Sequence, residues 1–166
     1  GVFENCTKLV KVTIGDSNEQ VNLTSIGGRA FKKCTALETV IIGNGVGAIG
    51  GSAFSGCTSL KNVTLGTAVT VIQDSAFYNC TALSDITIPN SVTTIASSAF
   101  YNCQSMKTVT FGKSVKTIGV GAFANCKSLT EITLPASVKT IAAPEWNEDG
   151  VFENCTKLVK VTIGDS

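Results

Sequence analysis

The sequence contains no histidine among its 166 residues. This absence excludes Ser-His-Asp and Cys-His nucleophile arrangements and every metal site that uses an imidazole ligand. Paired carboxylates at a recurring inward position and a glycine-rich phosphate loop after a strand are also missing. We therefore expect a protein that is not an enzyme and that uses no cofactor and no metal.

Charged residues are also scarce, at 15% of the chain. The 13 Lys and Arg residues nearly balance the 12 Asp and Glu residues, so no basic patch for nucleic acid is visible. No apolar run approaches the roughly 18 residues that span a bilayer. The opening residues, GVFENCTKLV, lack the basic and then apolar pattern of a signal peptide. The sequence therefore predicts neither nucleic-acid binding nor membrane insertion.

The chain does contain a repeated Phe-x-x-Cys pair. Its phenylalanines recur at steps of 28, 23, 23, 23, 23 and 29 residues, and they are Phe3, Phe31, Phe54, Phe77, Phe100, Phe123 and Phe152. A fixed period of this size predicts a solenoid, in which each coil buries its apolar side only by stacking on its neighbours. We number the coils 1 to 7 after these phenylalanines.

Residues 75–95, SAFYNCTALSDITIPNSVTTI, show one coil most clearly. The spacing of about three from Ala76 to Leu83 predicts one or two turns of 3₁₀ or α-helix. The alternation from Asp85 to Ile88 predicts a short half-buried strand, which Pro89 ends. The pattern therefore predicts about seven 23-residue coils, with one strand per coil in a parallel sheet. The predicted core includes Phe31, Cys34, Phe54, Cys57, Phe77, Cys80, Phe100, Cys103, Phe123 and Cys126.

One cysteine stands at the same place in every coil. Neighbouring coils of a parallel solenoid lie about 4.8 Å apart, with parallel Cβ vectors that are poorly placed for disulfides. No Cys-x-x-Cys pair for zinc is present. We therefore expect free, buried thiols.

The pattern A-F-x-x-C-x-x-L-x-x-V-x-I-P-x-S-V-x-x-I resembles the BspA-like, or Treponema pallidum type, leucine-rich repeats. The resemblance covers essentially every residue. It implies an α/β-type leucine-rich-repeat solenoid with a parallel sheet on one face. It also implies extracellular display on the surface of a bacterium or a protist, and binding of proteins of a host or of other microbes.

The outward positions of the predicted strands form a candidate binding surface. One column is nearly all threonine, and its neighbour varies between coils. Threonine is a common residue on an exposed ladder, so the column has a structural explanation as well as a recognition role. The candidates are Lys11, Thr13, Thr39, Asn62, Thr64, Asp85, Thr87, Thr108, Thr110, Glu131 and Thr133.

Two insertions lengthen the repeat, at residues 15–20 and 142–149. The second holds Trp146, the only tryptophan, which is either a contact residue or a cover for the edge of the solenoid. The spacing Glu145-x-Asn147-x-Asp149 resembles the start of a calcium loop. However, Thr156 occupies the position of the essential bidentate glutamate, so the sequence does not favour calcium.

Residues 1–17 are identical to residues 150–166, which indicates a larger unit of 149 residues. We expect the 166 residues to form a single domain, cut from a longer array. The function most consistent with these patterns is a protein-binding or adhesion module, with glycan as another possible ligand. The alternative is a structural array that associates head to tail through its open apolar ends.

Overall fold

The computed structural model describes residues 1–15, 23–144 and 149–164. The chain coils into a solenoid, and each complete coil contributes two short parallel strands. Each coil has a first strand, and in coils 1, 4, 5 and 6 its side chains alternate between exposed and buried, as predicted. These first strands are β1 (Lys11–Ile14), β3 (Thr39–Ile42), β5 (Asn62–Thr64), β7 (Asp85–Thr87), β9 (Thr108–Thr110), β11 (Glu131–Leu134) and β13 (Lys160–Ile163).

The first strands stack in coil order. Their hydrogen-bonded ladders form three groups, β1-β3-β5, β7-β9 and β11-β13, and every pair is parallel. The strands on either side of each break remain neighbours in space. The predicted repeat solenoid with a parallel sheet on one face is therefore confirmed.

The segment that returns from each first strand forms a second parallel sheet of six strands, which the sequence analysis missed. Each of these strands has only two residues, too few to show an alternating pattern. They are β2 (Ser25–Ile26), β4 (Ala48–Ile49), β6 (Val71–Ile72), β8 (Thr94–Ile95), β10 (Thr117–Ile118) and β12 (Thr140–Ile141).

The segments around the phenylalanines are hydrogen-bonded turns, and no helix occurs in the described ranges. The structure therefore corrects the prediction of 3₁₀ or α-helical turns here. In coils 2 to 6, the second and the sixth residue of the turn have a left-handed backbone, which interrupts a right-handed helix. Around Phe77 these residues are Ser75 and Asn79, both with φ 57°. Around Phe100 they are Ser98 and Asn102.

Alternate amides of each turn bond in two different directions. The amides of Arg29, Phe31 and Lys33 donate to carbonyls of the next coil at 2.7–2.9 Å. The intervening amides donate to the carbonyl three residues earlier, as Cys34 does to Phe31 at 3.2 Å. Because half of the amides serve the neighbouring coil, a continuous helix cannot form, and the backbone itself joins the coils.

The ten side chains predicted for the core lie in the interior. Phe54, Phe77, Phe100 and Phe123 are fully buried. The rings of successive coils stack almost parallel, with centroids 5.2–5.8 Å apart along the whole column from Phe3 to Phe152. The stack is continuous, so each ring stabilises the position of the next.

The left-handed residues allow a direct test of this turn. Asn125 has φ 61°, and its amide donates to the carbonyl of Glu153 at 2.7 Å. Asn125→Val should lower the free energy of unfolding by about 1–2 kcal/mol, because a left-handed backbone is costly for a branched side chain. Urea denaturation measures the change.

Asn125→Gly is the matched control, since glycine adopts this conformation freely. It should change the stability by less than about 1 kcal/mol. If both variants lost the same free energy of unfolding, the left-handed backbone at Asn125 would not be the cause of the loss.

Candidate binding surface

The candidate residues of the first strands lie side by side on one face of the solenoid, which we call the strand face. Most are exposed to solvent, and Thr39 is half-buried. Trp146 lies outside the described residues. The exposed members are Lys11, Thr13, Asn62, Thr64, Asp85, Thr87, Thr108, Thr110, Glu131 and Thr133.

The strand register sets the order of these side chains. Lys11 stands opposite Thr39, and Thr39 stands opposite Asn62. In the middle of the face Asp85 stands opposite Thr108, and the neighbouring column pairs Thr87 with Thr110. Seven strands at about 4.8 Å spacing give a surface roughly 29 Å long.

Charges on the strand face are few and partly paired. The Nζ atom of Lys160 lies 3.8 Å from a carboxylate oxygen of Glu131 on the adjacent strand. Asp85 lies between uncharged neighbours, and the Ser84 hydroxyl donates to its carboxylate at 2.6 Å. The face therefore offers hydroxyl and methyl groups with isolated charges.

A cavity of about 860 Å³ lies beside coil 1. Its lining is mainly apolar and includes Phe3, Leu9 and Ile26. A smaller cleft of about 270 Å³ adjoins the strand face at Thr133 and is also lined by Phe111 and Lys113. Neither cavity collects the polar groups of a reaction centre.

The cysteine column is part of the packing. All seven thiols are free, and all except that of Cys6 are buried. Each buried thiol donates to the carbonyl of the phenylalanine one coil earlier, at 3.1–3.4 Å. Burial raises the pKa of Cys57 and that of Cys126 to about 12. Because the thiolate is the reactive form, these cysteines are poor nucleophiles.

The sequence analysis missed a stacked pair of tyrosines on the turn side of the solenoid. The rings of Tyr78 and Tyr101 are 4.9 Å apart and nearly parallel. The nearby carboxylate of Asp149 raises the pKa of Tyr101 to about 12. The sequence contained a signal for this stack, since both tyrosines directly follow the repeat phenylalanine and therefore occupy equivalent positions in neighbouring coils.

The described ranges contain no cluster of three or more residues that could hold a metal ion. Of the calcium-like spacing, only Asp149 is described. No helix in the described part of the chain has the length and apolarity needed to cross a membrane.

A family model for the BspA-type leucine-rich repeat region, in six copies, matches residues 1–107 and 24–159. The chain belongs to this family. A comparison with curated protein sequences finds no match.

Solved structures agree with the BspA-type assignment. The leucine-rich repeat protein of T. pallidum is 31% identical, with a TM-score of 0.83 over 95% of this chain and 74% of its own. A protein from Eubacterium ventriosum is 28% identical, with a TM-score of 0.75 over 99% of this chain and 45% of its own. The pneumococcal vaccine antigen PcpA shares the fold at 23% identity and a TM-score of 0.73, over 95% of this chain and 41% of its own. The chain thus spans less than half the length of the latter two.

The thiol column of this BspA-type solenoid predicts a fall in stability at alkaline pH. The pKa of a thiol in the unfolded chain is about 8.5. In the folded chain, burial raises the pKa of Cys57 and that of Cys126 to about 12. The native state therefore holds protons that the unfolded state releases between these values. This contribution to stability is complete below the unfolded pKa and is lost as the pH rises towards 12.

Urea midpoints at pH 7, 9 and 10.5 should therefore decrease in that order. The urea midpoint of Cys57→Ala should decrease less steeply with pH than that of the parent chain, although the variant is less stable at pH 7. If the urea midpoints of both chains had the same pH dependence, the raised pKa of Cys57 would not contribute to the loss of stability at alkaline pH.

Proposed function

We propose that the chain is a non-catalytic protein-binding module that recognises its partner through the strand face. The observation that carries the proposal is the set of exposed side chains held in register on consecutive parallel strands. Family membership supports it, since repeat solenoids present extended binding surfaces.

Rigidity favours recognition at this face. The strands are held by ladder hydrogen bonds and by their own buried side chains, such as Ile86 and Ile132. Threonine loses little side-chain freedom on binding because it is branched at Cβ. Little ordering free energy therefore opposes association.

The chemistry of the face favours a protein over a glycan. The described strand-face positions include no aromatic side chain on which a sugar ring could stack. They offer hydroxyl groups, methyl groups and the isolated carboxylate of Asp85. A partner with backbone amides or a basic group matches these features.

Extracellular display on a cell surface completes the proposal. It rests on the resemblance to the BspA-like family. An adhesion role requires that the strand face remain accessible when the module is anchored.

The test uses a panel of purified secreted and surface glycoproteins, immobilised with and without enzymatic removal of their glycans. The chain should bind at least one of them after the glycans are removed. Thr87→Arg and Thr110→Arg should each weaken that binding about tenfold or more, since a long charged side chain blocks the face. Surface plasmon resonance measures the affinities.

Thr140→Arg is the matched control, because Thr140 is an exposed threonine on β12 of the second sheet. It should leave binding unchanged. Trp146→Ala tests the inserted loop separately. Binding that is lost only with the glycans would favour a glycan ligand, and equal losses for the three threonine variants would contradict a site on the strand face.

A further inference from the structure

The two tyrosines of the chain form a stacked pair in the middle of the solenoid. Tyr78 and Tyr101 occupy equivalent positions in coils 4 and 5, and their ring planes differ by only 3° at a centroid distance of 4.9 Å. Both side chains are half-buried, so solvent reaches both rings. The pair is not required by the repeat, because the other coils carry no aromatic residue here. Their equivalent residues are Glu4, Lys32, Ser55, Ala124 and Glu153.

The backbone and an amide pair hold the two tyrosines in place. The amides of Phe77 and Asn79, on either side of Tyr78, each donate to a carbonyl of coil 5, at 2.8 and 2.9 Å. The side chain of Asn102 donates to the side-chain oxygen of Asn79 at 2.7 Å. Because the turn is tied to coil 5 at these points, the two phenol rings are held together before any reaction begins.

Face-to-face stacking is the geometry in which two phenols can couple. Loss of an electron and a proton converts a phenol into a phenoxyl radical. The unpaired electron of this radical spreads onto the ring carbons beside the hydroxyl, in orbitals perpendicular to the ring. Two parallel rings direct these orbitals at each other, so a carbon–carbon bond can form between them.

The other oxidisable groups of coils 4 and 5 are protected. Cys80 and Cys103 are fully buried, and burial raises the pKa of each thiol well above its ordinary value. The thiolate is the form that oxidants attack, so these cysteines react slowly. Met106 is also fully buried. In these two coils, an oxidant from solvent therefore meets the tyrosine rings first.

We propose that Tyr78 and Tyr101 form a modification site, at which a peroxidase and hydrogen peroxide join the two rings into a dityrosine within one chain. Each phenol gives one electron to the peroxidase and releases one proton. The radicals couple at the carbons beside the hydroxyls, and the hydrogens of these two carbons move through water to the phenol oxygens. Hydrogen peroxide takes up the two electrons and two protons and is reduced to two molecules of water.

The product has space to form and a structural effect. The side chains that flank the pair in the same column, Ser55 and Ala124, are small, so the rings can tilt as the bond between them forms. The link joins residues 23 positions apart and restricts the unfolded chain, which stabilises the fold. The tyrosines lie on the turn side and not on the strand face. The inference is therefore independent of the proposed function.

The test treats the parent chain, at about 1 µM, with a haem peroxidase and hydrogen peroxide. A neighbouring group within one chain has an effective concentration on the order of millimolar, so coupling within the chain should exceed coupling between chains. The product should run as a monomer on a reducing gel, show dityrosine fluorescence and have a mass lower by two hydrogen atoms.

Peptide mapping locates the bond. A protease that cleaves after acidic residues cuts at Asp85, between the two tyrosines, so residues 75–85 and 86–131 should be recovered as linked peptides. Dityrosine that occurs only between chains would overturn the proposal. Oxidation of thiols or of Trp146 while both tyrosines remain unmodified would also overturn it.

Two sets of variants test the role of the stack. Tyr78→Phe and Tyr101→Phe each keep a ring at the position but leave one tyrosine in the chain, so neither should form the cross-linked monomer. Lys32→Tyr combined with Tyr101→Phe keeps two tyrosines, but it places them two coils apart, at about 10 Å. This double variant should give at least about tenfold less cross-linked monomer than the parent chain. An equal yield would contradict the role assigned to the stack.

Stability provides an independent measurement. Treatment should raise the urea midpoint of the parent chain, because the new bond restricts its unfolded state, but it should not raise that of Tyr101→Phe. A midpoint that is unchanged in the cross-linked parent chain would overturn the stabilising effect of the link.

Discussion

The structure depends on contacts between coils, because no coil can bury its own phenylalanine. Each ring is covered by the ring of the next coil at 5.2–5.8 Å, and the phenylalanine carbonyl accepts both an amide of its own coil and the thiol of the next. A carbonyl has two lone pairs, so both bonds are satisfied together. Phenylalanine and cysteine therefore recur as a pair, since the first supplies the ring and the carbonyl acceptor, and the second supplies a small buried donor.

The same constraint limits where a recognition surface can lie. Stacking consumes the upper and lower sides of every coil, and the interior is filled by aliphatic side chains and thiols whose pKa values are raised by burial. What remains is the lateral surface, where the column that includes Asn62, Asp85 and Glu131 varies from coil to coil without disturbing the core. A solenoid of this kind therefore separates the residues that specify the fold from those available for recognition.

Sequence reasoning predicted the coil, the first strand and the core, because these follow from periodicity. It failed at the turns, where Ser75 and Asn79 adopt a left-handed backbone that their spacing from Phe77 does not reveal. It also missed the two-residue return strands, which are defined by bonds to neighbouring coils and not by an internal pattern. On the candidate surface it placed the exposed positions but not the half-burial of Thr39, which depends on the neighbouring side chains. The stacked tyrosines could have been predicted, because Tyr78 and Tyr101 directly follow the repeat phenylalanine, but the effect of Asp149 on Tyr101 could not.

The duplicated segment shows how specific the contact between coils is. Coil 6 offers Phe123, Glu131 and two turn amides, and these match the ring, the lysine and the two carbonyls of the 150–164 segment. The contact between two coils is therefore encoded in a continuous stretch of about one coil. A solenoid of this kind fixes the order of its coils through a few matched side chains and backbone groups at each junction.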